Sequence, residues 1–476
     1  MVDFWVYDVT FLVLFTLWVF WFLKSRKKNI GREGIIFMYR TQFGVKAMEY
    51  VSKHYTRTLH ALKYVIVGVG FVLMGAMVWM LGQTVAIYLL HSNEITQFIK
   101  APPVAPLIPY FPKLFGMESF FPPFYFAYFI VALAIVAIVH EFSHGIFMRL
   151  FKVRIKSTGL VFLGPILGAF VEQDDKSFQK KDKFKQMVIL GAGVFANVVF
   201  ALIFYGLYVG FFFSSFSGAG YVFNSYGGQS VPIDTIDSIG QDVGPIDVIS
   251  PLGYSAINLS EVNINGTTYY MSTGVKELIA QEDLVGNISV LDKSPAILAG
   301  MRGAIIQADD VKIINEDKLR EFLENKHPGE RVLFVTEDAE GIKKHNILLS
   351  EHPNKSISYG YLGVGRIEGK AKGVIQRSLR WFMSFKDSST YYKPTWDGNL
   401  VEFIYHLFWW VMVINLLVAL FNMLPLGMLD GGRFFYLAIW GITGKEKIGK
   451  AAYKGAGWLI LLAFILMMVF WFFGII

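Results

Sequence analysis

Residues 134–145 read AIVAIVHEFSHG, and this stretch decides both how the chain is expected to fold and what chemistry it can carry. His140 and His144 are four positions apart. Because an α-helix turns every 3.6 residues, both side chains lie on one face of a helix. Two imidazoles in that arrangement can bind one Zn²⁺ at about 2.0–2.1 Å. Glu141, beside the first histidine, is placed to take a proton from a water molecule that such a metal acidifies.

The same stretch has a less specific interpretation, in which both histidines face water at the end of a helix and Glu141 is a surface acid. The surrounding sequence argues against it. Residues 119–139, directly before the motif, contain no charged side chain. A carboxylate at membrane depth costs about 2.5 kcal/mol or more, so it is expected where it has a function. The context therefore favours a metal centre within an apolar segment.

The composition indicates a membrane protein. Of the 476 residues 54% are apolar and 17% charged, whereas soluble domains have about 45–50% and about 25%. The mean hydropathy is +0.46, and disorder, collagen and coiled coil are excluded. Without cysteine, disulfides and thiol catalysis are excluded as well, so a transition metal must be held by histidines and carboxylates. Six apolar runs are long enough to cross a bilayer, and they are 4–23, 64–90, 119–150, 187–214, 403–429 and 455–476.

The loop charges predict an orientation in the membrane. Loops 24–63, 149–186 and 431–454 contain 10, 9 and 5 Lys or Arg against 2, 4 and 1 acidic residues, whereas segment 216–402 contains 18 against 24. Because basic loops stay on the cytoplasmic side, both termini and segment 216–402 are predicted to be extracytoplasmic, in the cell membrane. The net charge of +7 is then a surplus of the inner loops, and no nucleic-acid partner is expected.

A catalytic zinc site needs a third protein ligand and one open position. The apolar runs offer His406 and Asp430 as ionisable candidates. His406 is placed near the outer end of its run, where an interfacial histidine is expected. Asp430 follows Pro425 at the inner end, at the depth of His144, and a helix break there is tolerated where backbone lines a protein cavity. A capping role beyond the membrane is the alternative for Asp430, but the missing carboxylate favours a ligand.

Two motifs resemble the site-2 protease family of intramembrane zinc metalloproteases: HEFSH at 140–144 and NMLPLGMLDG at 422–431. The resemblance covers the third to fifth apolar runs. It implies one Zn²⁺ per chain, held by His140, His144 and Asp430, with Glu141 as the catalytic base. Fe²⁺ or Co²⁺ would suit the same ligands.

Two further segments carry the resemblance. GAGVFAN at 191–197 resembles the family's Gly-Pro-x-x-Asn segment, with Val in place of the usual Pro. This implies that Asn197, and likewise Asn422, positions the substrate or a developing oxyanion, while an interhelical hydrogen bond is the alternative for Asn197. GPILGAFV at 164–171 resembles the family's re-entrant β-loop, with Gly164, Pro165 and Gly168 as the loop residues. An ordinary cytoplasmic hairpin explains that segment equally well.

The polar segment 216–400 is predicted to be an inserted extracytoplasmic α+β domain. Strand-like runs such as RVLFVT at 331–336 support this, and residues 286–364 resemble a protease-associated PDZ-like domain with 360–364 as its closing strand. A PDZ groove binds peptide by strand addition. The usual Gly-Leu-Gly-Phe loop is not visible, so recognition of a free C-terminus is not expected. Segment 226–285 is left open as a partial second module.

We therefore expect a polytopic α-helical membrane protein with about six transmembrane helices. Residues 1–118 hold two N-terminal helices, 119–215 the protease core, 216–400 the PDZ-like domain, and 401–476 a core helix and a final helix. The expected function is regulated intramembrane proteolysis, the hydrolysis of bonds in or near transmembrane segments, so the partners are transmembrane proteins or peptides and the lipid bilayer. A catalytically silent membrane-tethered PDZ scaffold with a structural metal is the alternative, and a metal transporter is a second one. The sequence indicates neither the substrate nor the oligomeric state.

Overall fold

The computed structural model describes residues 4–98, 101–104, 107–118, 121–250, 253–281, 286–366, 373–427 and 429–475. These residues form two compact units. The first comprises the chain up to Phe211 and from Glu402 onward, and the second is Phe212–Val401.

The helices, in chain order, are α1 (Phe4–Ser25), α2 (Val45–His54), α3 (Thr56–Phe98), α4 (Phe111–Leu114), α5 (Phe126–Leu150), α6 (Asp175–Gln179), α7 (Lys183–Ser215), α8 (Thr273–Ala280), α9 (Pro295–Leu298), α10 (Glu316–Glu324), α11 (Gly373–Met383), α12 (Gly398–Asn422), α13 (Asp430–Thr443) and α14 (Glu446–Ile475).

The strands are β1 (Ile30–Glu33), β2 (Ile36–Thr41), β3 (Ile155–Leu163), β4 (Ile166–Gln173), β5 (Phe216–Val222), β6 (Ser225–Tyr226), β7 (Gly228–Pro232), β8 (Ile236–Ser250), β9 (Gly253–Ile264), β10 (Thr267–Ser272), β11 (Asn287–Asp292), β12 (Ala304–Ala308), β13 (Val311–Lys312), β14 (Arg331–Asp338), β15 (Gly341–Leu348), β16 (Val364–Gly365) and β17 (Thr390–Pro394).

Among the described residues, six helices are long and apolar enough to cross a membrane, namely α1, α3, α5, α7, α12 and α14. These six candidate spans fit the prediction of a polytopic membrane protein with about six transmembrane helices. The third apolar run was expected to begin at residue 119, but 119–120 lie outside the described residues and α5 begins at Phe126. Pro122 and Pro123 precede it, and proline in a helix interior removes a hydrogen bond and clashes with the preceding turn.

The fifth run ends earlier than its apolar composition indicates. It was expected to continue to Leu429, but α12 ends at Asn422 and a separate helix, α13, begins at Asp430. Pro425 lies in the intervening turn. A Cβ on Gly431 would come within 2.4 Å of the Met423 carbonyl carbon, so the turn closes tightly because a glycine is present there. Asp430 is therefore the first residue of a new helix rather than the last of a span.

Helix α5 carries the HExxH motif, which is His140-Glu141-x-x-His144. A residue of another helix caps its N-terminus. Asp8 of α1 is 2% exposed. Its Oδ2 accepts a hydrogen bond from the Phe126 N–H at 2.7 Å, and its Oδ1 accepts one from the Ala127 N–H at 2.9 Å. The Tyr110 hydroxyl also donates to Asp8. Because the first N–H groups of a helix have no partner within the helix, this carboxylate fixes the start of α5 against α1.

A four-stranded antiparallel sheet with the order β1-β2-β3-β4 lies in the first unit. Its β3–β4 hairpin turns at Gly164, whose φ of 59° favours glycine. The β1–β2 hairpin comes from segment 24–63, which the charge analysis treated as a basic loop. β2 pairs with β3 from Phe37↔Phe162 to Thr41↔Thr158, so the hairpin at 155–173 is one half of a larger sheet.

The apolar core of the first unit joins α3, α5, α7 and α13. Ile66, Val188, Ile189 and Phe434 are at most 1% exposed and lie at its centre. This packing brings the HExxH helix, α7 and the start of α13 together.

The second unit contains two main sheets with separate cores. One has the order β15-β14-β12-β5-β17, with Phe334 and Ile305 in its core. The other has the order β7-β11-β10-β9-β8, with Val262 and Val290 in its core. The sequence did not decide whether segment 226–285 forms a second module. The structure places most of a sheet with its own hydrophobic core there. The expected closing strand at 360–364 is reduced to a bridge at Tyr361 and the short β16.

Candidate metal centre

The side chains of His140, His144 and Asp430 converge in the first unit. The two Nε2 atoms of the histidines are 3.0 Å apart. Oδ2 of Asp430 is 3.1 Å from Nε2 of His140 and 3.3 Å from Nε2 of His144. Both histidines are buried. Three potential ligand atoms therefore form a nearly equilateral triangle at the junction of α5 and α13.

The dimensions of this triangle suit a tetrahedral metal ion. An ion bound at about 2.0–2.1 Å holds neighbouring ligand atoms about 3.3–3.4 Å apart, close to the observed 3.0–3.3 Å. Two imidazoles and one carboxylate form a donor set that suits zinc. Within the described residues this group contains three such ligands, which leaves a fourth position for water or substrate.

Helix α7 presents one face to the triangle through residues spaced four apart. Nδ1 of His144 donates a hydrogen bond to the Ile189 carbonyl oxygen at 2.6 Å. One turn later, Gly193 lies against both imidazoles. A further turn on, the side-chain amide nitrogen of Asn197 is 3.1 Å from Nδ1 of His140. Such partners of the second ring nitrogen fix the tautomer and orientation of a metal-ligating histidine.

Gly193 allows α7 to approach the site. A Cβ at this position would lie 2.5 Å from Nε2 of His144 and 2.7 Å from Nε2 of His140. These distances are far below van der Waals contact, so any side chain would occupy the space between α7 and the ligand atoms. The glycine of the GAGVFAN segment therefore has a direct steric function.

Asn197 of α7 contacts His140 of α5, an interhelical contact of the kind given as the alternative to positioning of the substrate. It is fully buried at 0% exposure, and its Oδ1 has no hydrogen-bond partner among the described residues. The oxygen and nitrogen of a side-chain amide exchange places by a half-turn. If Nε2 of His140 faces a metal, its Nδ1 carries a proton, and the half-turn would present Oδ1 of Asn197 as the acceptor.

Glu141 is held by the neighbouring sheet. Its Oε2 accepts a hydrogen bond from the Val171 N–H at 2.9 Å. Glu141 and Val171 also line a cavity of about 920 Å³, together with parts of β2, β3 and the start of α2. The side chain expected to be the base thus lies beside the metal-ligand helix and opens into a cavity bordered by strand β4.

The remaining predicted residues occupy different positions. Gly164 and Pro165 form the tip of the β3–β4 hairpin, between Leu163 and Ile166. Gly168 pairs with Val161 within that hairpin. Asn422 is the last residue of α12 and half-buried, and among the described residues no hydrogen bond joins its side chain to the triangle.

Two contributors to the site were not predicted from the sequence. Ile189 acts through its backbone carbonyl, which leaves no signal in the side-chain pattern. Strand β2 borders the cavity at Tyr39 and Thr41. The alternation of Phe37, Tyr39 and Thr41 next to Gly34 was a signal for a short hairpin.

The family model that matches this chain is described as peptidase family M50, and it covers residues 128–468. The matched range includes His140, His144 and Asp430. The chain belongs to peptidase family M50, the site-2 protease family.

The chain is similar to two relatives over different shares of its length. A Clostridium perfringens protein named "Putative zinc metalloprotease" is 25% identical over 339 residues, which is 68% of this chain and 85% of the relative. An uncharacterized protein of Methanocaldococcus jannaschii is 46% identical over 74 residues, 15% of this chain. The chain spans one fifth, 20%, of that second relative's length. Family and relative together support a membrane metalloprotease.

Proposed function

We propose that this chain is an intramembrane zinc metalloendopeptidase that hydrolyses peptide bonds in or near transmembrane segments of membrane-anchored proteins. One observation carries the proposal: Nε2 of His140, Nε2 of His144 and Oδ2 of Asp430 lie 3.0–3.3 Å from one another. The side chains belong to a helix apolar enough to span a membrane and to the helix that follows another such span.

In this proposal the three side chains hold one Zn²⁺, and Glu141 is the general base. A bound zinc ion acidifies water and polarises the scissile carbonyl. Glu141 takes a proton from the attacking water and delivers it to the leaving amine. Ile189 and Asn197 keep the two imidazoles oriented. Asn422 is kept as a candidate for positioning the substrate near the break after α12.

The substrate is proposed to bind as an extended strand beside β4. The carbonyls of a helical substrate are engaged in its own hydrogen bonds, so the segment to be cut must unwind. Val171 directs its N–H at Glu141, away from β3, so this edge of β4 faces the base. Leu163 and Ile166 at the hairpin tip are 41% and 39% exposed, which supports a tip that enters the bilayer around Gly164, Pro165 and Gly168.

The second unit is proposed to be an extracytoplasmic domain with a PDZ-like part at 286–364. Support comes from the antiparallel β12, β14 and β15 with α10 packed on the same core. A groove of about 210 Å³ lies between α10 and residues 359–364, where a peptide can bind. The basic loops of the first unit are assigned to the cytoplasm on their charge alone.

The proposal is tested with purified full-length protein and a membrane-anchored reporter. The wild type is expected to contain one zinc ion per chain and to cleave the reporter, and Asp430→Asn is expected to lose metal. Unchanged zinc content in Asp430→Asn would remove Asp430 from the ligand set. A wild type that is fully zinc-loaded but cleaves no membrane-anchored reporter would instead favour the tethered PDZ scaffold.

A further inference from the structure

A second cavity, of about 610 Å³, lies in the first unit where α2, α3 and α5 meet. Its charged lining consists of four cationic side chains and one carboxylate, apart from His60. The cationic residues are Lys53, Arg149, Lys152 and Arg154, and the acid is Glu49. Glu49 is already engaged by Lys53 at 2.7 Å. The cavity therefore has an excess of positive charge that the protein itself does not neutralise.

Arg149 carries a hydrogen-bond donor that lacks an acceptor within the described part of the chain. Its Nε atom is buried and has no hydrogen-bond partner among the described residues. Buried donors are nearly always paired, and a charged one is costly to leave unpaired. Arg149 also lines the cavity, so an anion there would pair with its guanidinium group. Arg149 lies five positions after His144 along α5, so the cavity is distinct from the metal centre although both lie along this helix.

Lys152 independently indicates that the cavity binds an anion. It has a left-handed backbone with φ of 56°, two residues after the end of α5. Val153 N–H bonds to the Met148 carbonyl at 2.7 Å in the same turn. This position strongly favours glycine, because a Cβ is strained there. A lysine that is exposed and lines the cavity adds a positive charge at a position where backbone conformation alone favours glycine.

The location favours a phosphate carried by a lipid. α5 ends at Leu150 and α3 begins at Thr56, and both helices are apolar enough to span a membrane. The cavity is therefore at the level where a span meets the headgroup layer. Basic pockets between membrane helices suit anionic headgroups. We propose that this cavity binds the phosphate of an anionic membrane phospholipid, with Arg149 and Lys152 as the principal contacts.

The site is positioned to influence the metal centre through α2. A Cβ on Gly145 of α5 would come within 2.3 Å of the Met48 sulfur, so α2 packs closely on the HExxH helix. Met48 and Ala47 line the cavity that Glu141 faces, whereas Ser52 and Lys53 line the anion cavity. An anion held between α2 and α5 would fix α2. Any effect on cleavage rests on the proposed function, so the test uses binding.

Binding is measured by native mass spectrometry of the full-length protein with phosphatidylglycerol and, separately, phosphatidylcholine. We expect a preference for phosphatidylglycerol. Arg149→Gln and Lys152→Gly should each weaken its binding about fivefold, since one juxtamembrane cation contributes about that factor. Lys180→Gln, which removes an exposed lysine that does not line the cavity, should leave binding unchanged.

Lys152→Gly separates loss of charge from misfolding. Glycine relieves the left-handed strain, so this variant should melt no lower than the wild type while binding less phosphatidylglycerol. The proposal would be overturned if the Arg149→Gln/Lys152→Gly double variant bound phosphatidylglycerol as tightly as the wild type. It would also be overturned if the wild type did not prefer phosphatidylglycerol over phosphatidylcholine. Displacement of phosphatidylglycerol by an excess of inorganic phosphate would overturn the lipid assignment in favour of a soluble phosphate.

Discussion

The backbone N–H of Val171 donates a hydrogen bond to Oε2 of Glu141 at 2.9 Å, although Val171 is paired with Thr158 in the sheet. In an antiparallel ladder an N–H points either to the neighbouring strand or away from it. Since this one reaches Glu141, the outer edge of β4 faces the HExxH helix. The strand that would align a substrate and the side chain that would activate water are in direct contact.

Glu141→Gln should abolish cleavage while the fold and the metal are kept. The glutamine oxygen can still accept from Val171, but it cannot take a proton, so turnover should fall about 100- to 10,000-fold. Glu141→Ala should lose activity too, and it should also be less stable by about 1–3 kcal/mol because the Val171 N–H loses its partner. Zinc analysis, reporter cleavage and thermal unfolding separate the two variants. Wild-type cleavage by Glu141→Gln would disprove the assigned role.

Gly193→Ala should disrupt the ligand triangle through a single methyl group. Its Cβ would lie 2.5 Å from Nε2 of His144, and overpacking typically costs about 1–3 kcal/mol, which corresponds to about a 5- to 150-fold loss of zinc affinity. Competition with a chromophoric chelator measures this. Gly206→Ala on the same helix is the control, because its Cβ would meet no atom within 4 Å. Equal zinc affinity in both variants would contradict the steric role.

Asn197→Leu should weaken zinc binding about 10- to 100-fold, the usual effect of losing a partner of a ligating histidine. Asn197→Asp retains an acceptor for Nδ1 of His140 and should recover most of the affinity. Asn415→Leu is the matched control, since Asn415 is also fully buried but bonds to the Val411 carbonyl in its own helix. If Asn197→Leu binds zinc normally and loses cleavage, Asn197 acts on the substrate rather than on His140.

Asp8→Ala should destabilise the first unit by about 2 kcal/mol, at the upper end for loss of a helix cap. Two N–H groups at the start of α5 would lose their acceptors. Tyr110→Phe removes one donor and leaves both of these bonds, so it should be milder. Thermal unfolding of the zinc-loaded protein gives the comparison. A melting temperature of Asp8→Ala equal to that of Tyr110→Phe would show that the cap contributes nothing.

The sequence was most informative where a residue type is costly in its surroundings. His140, Glu141, His144 and Asp430 are ionisable groups in or beside apolar runs, and burial of such groups needs a reason; the structure brings the two histidines and Asp430 together. The six spans followed from the length of the apolar runs.

Other features depend on tertiary contacts that leave little trace in composition. The Ile189 carbonyl is a backbone group, and nothing in the side chain marks it. The capping role of Asp8 has no signal in the local sequence, since its partners Phe126 and Ala127 are more than a hundred positions away. The break between α12 and α13 was visible in Pro425, but the apolar composition continued past it, so the boundary was placed too late.

The residues of the ligand triangle lie both before and after the second unit in the chain. His140 and His144 precede residues 212–401, and Asp430 follows them. A protease nick within that insertion would turn the chain into two polypeptides, each with an incomplete set of ligands. A bound zinc ion would then link two separate polypeptides, and its removal by a chelator should promote their dissociation. The same arrangement lets the insertion change in length over evolution without altering the coordination chemistry.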